Sequence, residues 1–579
     1  MIRLATVFSG IGAIEHALNR MNLDYNIVFA CDNGGVDVLS KKIDVDIDSI
    51  DSELNNLKSI IDKMNFSDGD DYGKQLSDML NSAEIEFTDV KSNLNNLNID
   101  TCQDIIEEML STILINPNLN ENRKTVYNNF IVSLKSNHSQ AQKKLLLYQI
   151  ILKLFNDFKK DNPAEGLGKD MEFKSSLNVN WSGVSHSLSM CYSQLEEDNG
   201  KMIIRKVRNL SQRVGQLYGK INSLNHLNNL DKIDDYSKKR EYIDELYCGN
   251  EKRNRVMTSY MENYECPKEH FHWDAVFLDG NQYKNQVDLF VGGSPCQSFS
   301  LVGKQRGLSD TRGTLFYEYV RLVNEIQPRV FIYENVRAVL SNDCGRTWEK
   351  MREVLDELDY DVYYTKDDGS PSILNASDYG IPQNRQRLFV VGFRADVELD
   401  RDFKFPEPVP LDKTMQDFLI DNTPLGCFLP EKEAEFSTNE KNPLIESDQI
   451  DGDILLSPKG DVSISDKYFL SEKVKKTILS PGTKDFYSKP ETDREVARPL
   501  LSTMHKMHRA GIDNYVTTGG RLRRLTPREC LRLMGFSDNW KIVVSDTAMY
   551  QQAGNSIVVD VLIHIMNEIL RVYPRLNDN

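Results

Sequence analysis

Three runs, VDLFVGG, RVFIYENV and RLFVVGF, stay apolar over nearly their whole length. A strand with one wet face alternates apolar and polar side chains. A strand buried on both faces does not, and such strands belong to parallel sheets sandwiched between helices. Segments with helical spacing, TLFYEYVRLVNEI and TWEKMREVLDEL, lie between the runs. The N-terminal 34 residues add a strand (LATVF), a glycine turn (SGIG), a helix (AIEHAL) and a second strand (YNIVFACD). The chain is therefore expected to be an α/β protein with a doubly wound, mostly parallel sheet.

That alternation is interrupted twice. From residue 35 to residue 250 the chain is rich in Asn, Asp, Lys and Ser, with helical apolar spacing. Leu54, Leu57, Ile61 and Met64 follow steps of three and four. Ile203, Val207, Leu210, Val214, Leu217, Ile221 and Leu224 make a heptad-like seam. KKLLLYQIILKLF is apolar nearly all round and reads as a buried helix. Residues 35–250 are thus read as a helical insertion, a spacer or stability module before a partner-binding one. The second interruption is irregular and rich in Pro, Asp, Ser and Lys. The expected domains are 1–34 and 251–401 for the sheet, 402–535 for a smaller domain, and 536–579 for C-terminal helices returning to the sheet. Thr526 and Pro527 mark a helix start, as N-cap and first-turn residue.

Composition limits the functional classes. The formal net charge of -17 argues against nucleic-acid binding through bulk charge, so charge has to be read by segment. Nine cysteines without a C-x-x-C pair favour reduced thiols over a disulfide framework. The pairs His270/His272 and His505/His508 lack Cys or carboxylate partners at ligand spacing, so no metal site is expected. No apolar run of about 18 residues predicts a membrane span. Glu15 and His16 interrupt the apolar N-terminus, which reads as folded structure in a cytoplasmic protein rather than as a leader.

The chemistry is expected at strand ends. Cys296 follows a buried strand, two glycines and a proline, in DLFVGGSPCQSFS. A packing cysteine needs neither the glycines nor the fixed backbone, whereas a nucleophilic thiolate must be exposed and aimed. Glu334 closes the strand RVFIYENV, where a carboxyl could act as an acid or bond a heterocycle. Arg385 and Arg387 stand at i and i+2 before another strand and so share one face. A guanidinium fork suits a base carbonyl or a phosphate. The turn at Gly10 and Gly12 lets a ligand approach the backbone, and Asp32 ends the following strand, where an acid bonds ribose. The third glycine of a dinucleotide fingerprint is missing, which disfavours NAD and suits a nucleoside cofactor without pyrophosphate. Thiol, carboxyl and arginines together fit attack on an electron-poor ring such as cytosine at C6.

The blocks FSGIG, GGSPCQSFS, DTRGTLF, YENV, QNRQRLFVVGF, RRLTPRECLRLMGF and QQAGNSIVVDVL occur in this order. In this the chain resembles the DNA cytosine-5 methyltransferase family, except over residues 35–250 and near 410–500. The resemblance implies a Rossmann-like class I methyltransferase fold with a target-recognition domain at residues 402–535. It implies S-adenosyl-L-methionine as cofactor and double-stranded DNA as substrate. Cys296 would attack C6 of a flipped-out cytosine, Glu334 would contact N3 and the exocyclic amine, and Arg387, supported by Arg385, would hold the base and catalytic loop. Phe8, Gly10, Ile11 and Gly12 would contact the cofactor, Asp32 its ribose, and Asp274, with Asp279 as runner-up, its adenine amine. Leu315, Asn555, Ser556 and Val558 would complete the pocket. Asn33 and Gly34 stand where the family has a bulky residue to stack on adenine.

Residues 494–532 carry nine basic side chains, Arg494, Arg498, Lys506, Arg509, Arg521, Arg523, Arg524, Arg528 and Arg532, against three acids. This surplus of six reads as the footprint of a DNA groove. The loop 298–313, with Lys304 and Arg306, is expected to close over the flipped base. A restriction–modification or host-defence setting would supply an endonuclease partner. The chain reads as a monomer unless the insertion joins two copies. A tRNA cytosine-5 methyltransferase and a catalytically silent DNA-binding protein of the same fold are the alternatives.

Overall fold

The first strand, β1 (Ile2–Val7), is buried along almost its whole length, as an interior strand must be. In the computed structural model it leads through a glycine turn into α1 (Ala13–Arg20) and back to β2 (Tyr25–Cys31). The structure describes residues 1–64, 71–96, 102–116, 119–161, 184–193, 197–294, 315–422, 454–456, 462–483 and 486–577.

The chain divides into two units, Val38–Asn229 and the remainder. The first is helical: α2 (Ile47–Lys63), α3 (Asp71–Asn95), α4 (Gln103–Leu114), α5 (Glu121–Leu134), α6 (Gln140–Asp161), α7 (Ser185–Ser193) and α8 (Glu197–Leu230). All seven apolar positions of the α8 seam are buried. They do not zip against a second heptad helix. They pack with Leu54, Leu57 and Ile61 of α2 and with Leu76, Leu80, Phe87 and Val90 of α3. The apolar α6 joins this core through Ala141 and Leu145, and a second core with α4, α5 and α7 through Leu147, Ile150, Ile151 and Leu154. A helix serving two cores has to be apolar on most faces.

The other unit returns with α9 (Tyr236–Tyr247), α10 (Arg255–Asn263), β3 (Phe271–His272), β4 (Leu289–Gly292), α11 (Leu315–Ile326), β5 (Val330–Val336), α12 (Arg346–Asp356), β6 (Tyr360–Tyr363), β7 (Ile373–Asn375) and β8 (Gln386–Arg394). The sheet order is β3-β2-β1-β4-β5-β8-β6, with β7 also on β8. Strands β3, β2, β1, β4 and β5 run parallel, and β8 is antiparallel to β5. This is the expected doubly wound, mostly parallel sheet. The order reverses between β2, β1 and β4, which puts the ligand crevice of such folds beyond the carboxyl ends of β1 and β4.

The insertion is shorter than residues 35–250. Helix α9 belongs to the sheet unit, because its side chains are fastened to the β3 segment. Arg240 donates to the Phe271 carbonyl (2.7 Å) and to His272 Nδ1 (2.9 Å), and Lys239 pairs with Asp279 (2.6 Å). Residues 402–535 have a small cluster of their own, Ile478, Ala510, Tyr515 and Leu522, and also pack on the sheet. Phe403, Phe418, Leu500, Val516 and Leu531 share a cluster with Leu4, Ile14 and Val391. Beyond β8 come β9 (Ile454–Leu456), β10 (Val462–Ile464), α13 (Glu472–Ile478), β11 (Gly482–Thr483), β12 (Phe486–Tyr487), and the hairpin β13 (Tyr515–Thr518) and β14 (Arg521–Arg524). Thr526 caps α14 (Pro527–Arg532), with Glu529 completing a capping box. The last stretch, Asp546–Val572, is long and apolar enough to cross a membrane by length and composition. It consists of two helices, α15 (Asp546–Asn555) and α16 (Val559–Val572), and the apolar side of α16 is buried in the core.

Candidate active site at the carboxyl ends of the sheet

Parallel pairing brings Val7, Cys31, Gly292 and Tyr333 into one row across β1, β2, β4 and β5. The residues just beyond that row form the rim of the crevice. Glu334 is the next residue on β5, opposite Phe389 of β8, while Arg387 lies opposite Val336. Arg387 Nε reaches Glu334 Oε1 at 2.9 Å, with both side chains mostly buried. Burial pushes the Glu334 carboxyl up, and the charges of Arg387 and Arg385 pull it back. Gly293 makes room for this group. A Cβ there would lie 2.7 Å from Glu334 Oε2 and 3.0 Å from the Glu334 carbonyl. The close approach expected of the two glycines is thus made, at Gly293, by the carboxylate itself.

Arg385 and Arg387 do not form a fork. Arg385 is buried and donates to the carbonyls of Leu500 (2.9 Å), Gly554 (2.9 Å) and Ser556 (2.8 Å). Burial lowers its pKa to about 9, so it remains a cation at neutral pH. Its guanidinium ties the β8 entry to the turn carrying Asn555 and Ser556. Asn555 is exposed and Ser556 buried at that turn, and Val558 follows as the N-cap of α16.

Ser294 ends the described chain on this side. Its hydroxyl bonds Tyr333 Oη at 2.6 Å, and Asn335 Nδ2 donates to the same oxygen at 2.7 Å. A tyrosine and an asparagine from β5 therefore fix the backbone two residues before Cys296. Cys296 itself and the loop 298–313, with Lys304 and Arg306, lie outside the described residues. Leu315 opens α11 on the far side of that segment.

The second half of the rim surrounds the β1 turn. Phe8, Gly10 and Gly12 all have left-handed backbone, with φ of 54°, 54° and 77°. A Cβ on Gly12 would fall 2.2 Å from the Tyr264 ring, whose hydroxyl donates to the Gly12 carbonyl at 2.7 Å. Ile11 is buried between them and α1. Asp32 Oδ2 accepts from Gly10 N–H (2.9 Å) and Oδ1 from Gly34 N–H (2.8 Å). Desolvation raises the Asp32 carboxyl, those two N–H groups lower it, and the neighbouring charge of Asp274 raises it again. Asp274 Oδ1 accepts from Val276 N–H (3.0 Å), and Oδ2 from Tyr247 Oη (3.0 Å). The electrostatics thus bring Asp32 and Asp274 together. Asp279 stands apart from this pair, taken up by Lys239.

Several residues here carried no sequence signal. Tyr247 lies parallel to Trp273, with ring centroids 4.8 Å apart, while holding Asp274. Asn254 caps α10 and donates to the Asp32 carbonyl at 2.8 Å. A Cβ on Gly34 would collide with Asn254 Oδ1 at 2.2 Å, which explains a glycine after the acid. Glu15, directly behind the turn, is fully buried. Its Oε1 accepts from Tyr260 (2.5 Å) and Thr6 (3.3 Å), while Oε2 has no partner among the described residues, and burial pushes its pKa up to about 7. Glu15 and its neighbour His16, polar residues inside the apolar AIEHAL, were the available hint.

Only part of the basic segment 494–532 lies at the surface, where Lys506 and Arg521 are exposed. Arg523 and Arg532 are fully buried, paired with Glu529 and Asp538 at 2.8 Å each. Arg528 is buried as well. Arg494 and Arg498 both pair with Glu491. The formal surplus of six therefore overstates the outward charge, because sequence counting omits acids that lie outside the window but adjacent in space. Among the histidines, His272 Nε2 bonds Tyr283 Oη (2.6 Å) and its pKa falls to about 3 through burial.

The open, mostly parallel α/β sheet, with a Glu–Arg pair, a glycine turn and two carboxyls at its rim, is the fold of a class I methyltransferase. Residues 238–571 match the C-5 cytosine-specific DNA methylase family, and the chain belongs to that family. It is a DNA cytosine-5 methyltransferase. It is 32% identical to the type II methyltransferase M.HhaI of Haemophilus parahaemolyticus, over 49% of this chain and 75% of that one. It is 33% identical to M1.ScrFI of Lactococcus lactis subsp. cremoris, over 52% of this chain and 67% of that one. M.SsoII of Shigella sonnei is 31% identical, over 49% and 64%.

Proposed function

We propose that the protein transfers a methyl group from S-adenosyl-L-methionine to C5 of a cytosine within a specific duplex DNA sequence, through base flipping and a covalent Cys296–C6 intermediate. The observation that carries this reading is the Glu334–Arg387 pair, set on the same rim as the backbone that leads into Cys296.

The donor set suits the cofactor. The carboxylates of Asp32 and Asp274 are both oriented by hydrogen bonds from the protein, Asp32 from Gly10 and Gly34 N–H and Asp274 from Val276 N–H, Tyr247 and Asn33. Asp32 would take the ribose hydroxyls and Asp274 the adenine amine. Phe8, Gly10, Ile11 and Gly12 would line the turn beside them, with Leu315, Asn555, Ser556 and Val558 closing the pocket. The bound cofactor supplies the methyl group.

The chain's own residues do the rest. A cytosine inside a duplex is out of reach, so the base leaves the stack at a cost of a few kcal/mol. Glu334 would contact N3 of the base and its exocyclic amine, stabilising the step that makes C5 enamine-like. Arg387 keeps that carboxyl oriented, and Arg385 is a positioning residue that fixes the β8 entry and the Asn555 turn. With N3 engaged, the Cys296 thiolate adds to C6 and C5 becomes nucleophilic. After methyl transfer, loss of the C5 proton restores the double bond and expels the thiolate, a good leaving group. Relatives named as type II methyltransferases support a restriction–modification setting, with a separate endonuclease as partner.

Duplexes carrying 5-fluorocytosine at the target test the nucleophile, because that ring cannot lose a C5 proton. A denaturation-resistant complex is expected with the wild type and none with Cys296→Ser. Cys296→Ala should abolish turnover on duplex DNA while binding cofactor normally. Turnover of that variant at the wild-type rate would refute the mechanism.

A further inference from the structure

Exposed cations with no acid beside them also occur on the helical unit. Helix α8 contains no Asp or Glu from residue 199 to residue 230, but six Lys and Arg. The insertion is polarised along its length: residues 38–108 carry seventeen acids and six bases, and residues 109–229 nine acids and sixteen bases. On the flank of α8 that faces α3 the bases are neutralised. Lys206 pairs with Asp89 at 3.0 Å, and Arg213 pairs with Glu86.

The outer flank is different. Arg205, Arg208, Asn209, Gln212 and Gln216 are all exposed. At 100° per residue they fall on one side of the helix, over about 16 Å of axis. Among the described residues neither Arg205 nor Arg208 has an ion-pair partner. A soluble helix usually places an acid three or four residues from each base. Around these two arginines, positions 201, 202, 204, 209, 211 and 212 are Lys, Met, Ile, Asn, Ser and Gln. Arg205 and Arg208 also repel each other at i, i+3, which costs an isolated helix several tenths of a kcal/mol. The stripe is thus cationic, amide-bearing and free of acids, with Met202 the one exposed large apolar side chain beside it among the described residues, within a chain of net charge -17. Guanidinium forks and amides on a rigid rod match phosphate oxygens, whereas a protein partner would call for an apolar centre.

We propose that the outer stripe of α8, Arg205, Arg208, Gln212 and Gln216, is a second DNA contact that grips the sugar–phosphate backbone without reading sequence. It rests on duplex DNA being the substrate, but not on Cys296 chemistry. Each neutralised phosphate contributes roughly 0.9 to the slope of log K against log salt. The full-length Arg205→Gln/Arg208→Gln variant should therefore lose about 1.8 from that slope, for duplexes with and without a target site alike. Affinity at low salt should fall about tenfold or more, while methylation at saturating DNA stays unchanged. Arg205→Lys/Arg208→Lys should keep most of the slope, since it retains the charge. An unchanged slope and affinity in the Gln variant would overturn the proposal. So would a loss of self-association or of acidic-protein binding with DNA affinity intact. Failure of the catalytic reading is distinguishable, because Cys296→Ala would then turn over while the salt slopes remain as described.

Discussion

Arginine plays opposite parts in two regions of this protein. Around α14 it is internal: Arg523 and Arg532 have no solvent exposure and are locked to Glu529 and Asp538. On α8, Arg205 and Arg208 are exposed with no acid beside them among the described residues. By sequence the first region is an arginine-rich stripe and the second an unremarkable stretch of helix. The difference teaches that a basic residue signals a polyanion partner only where the fold leaves its charge unspent. Around α14 the carboxylates arrive from Asp421, Glu529 and Asp538, and each guanidinium is satisfied inside the protein.

The largest expected effect lies on the buried side. Arg532→Ala would leave Asp538 ionised and enclosed, and breaking such a pair costs about 3–5 kcal/mol. Urea unfolding should show that loss, and a change below about 1 kcal/mol would mean water already reaches the pair. An intermediate case is Glu15, a buried acid with one oxygen unpartnered among the described residues. It ionises near 4.5 when unfolded and near 7 when folded, so its stabilising contribution is complete below pH 4.5 and is lost as pH rises to 7. Glu15→Gln, which mimics the protonated acid, should remove this decline and be up to ~3 kcal/mol more stable than wild type at pH 8. Parallel melting-temperature profiles for the two proteins from pH 4.5 to pH 8 would refute this account. The smallest effect belongs to α8. Arg205→Ala should change stability by no more than about 0.5 kcal/mol, as exposed side chains without partners do. A larger loss would place Arg205 in the packing of the insertion and close the contrast.

Much of the sheet was legible because its signals are local. VDLFVGG, RVFIYENV and RLFVVGF read as strands, and the acids and glycines at their ends mark the rim. The α8 seam also gave the correct buried face, but a heptad cannot say what covers it, and the cover is a bundle with α2 and α3. The insertion boundary was read too wide because α9 is as polar as the helices before it. Its contacts with Phe271, His272, Trp273, Asp274 and Asp279 attach it to the sheet unit. Arg385 and Arg387, at i and i+2, were expected to share one face, yet Arg385 is drawn to three carbonyls from segments more than a hundred residues away.

By itself, then, the sequence determined the layered α/β class, the order of strand ends and the candidate chemistry, since these follow from periodicity and residue type. The tertiary structure alone decided that Gly293 makes room for Glu334, that Tyr247 holds Asp274, and which arginines face water. Those outcomes depend on partners distant along the chain. A charge's environment is set by what folds against it, and neighbours in sequence do not record that.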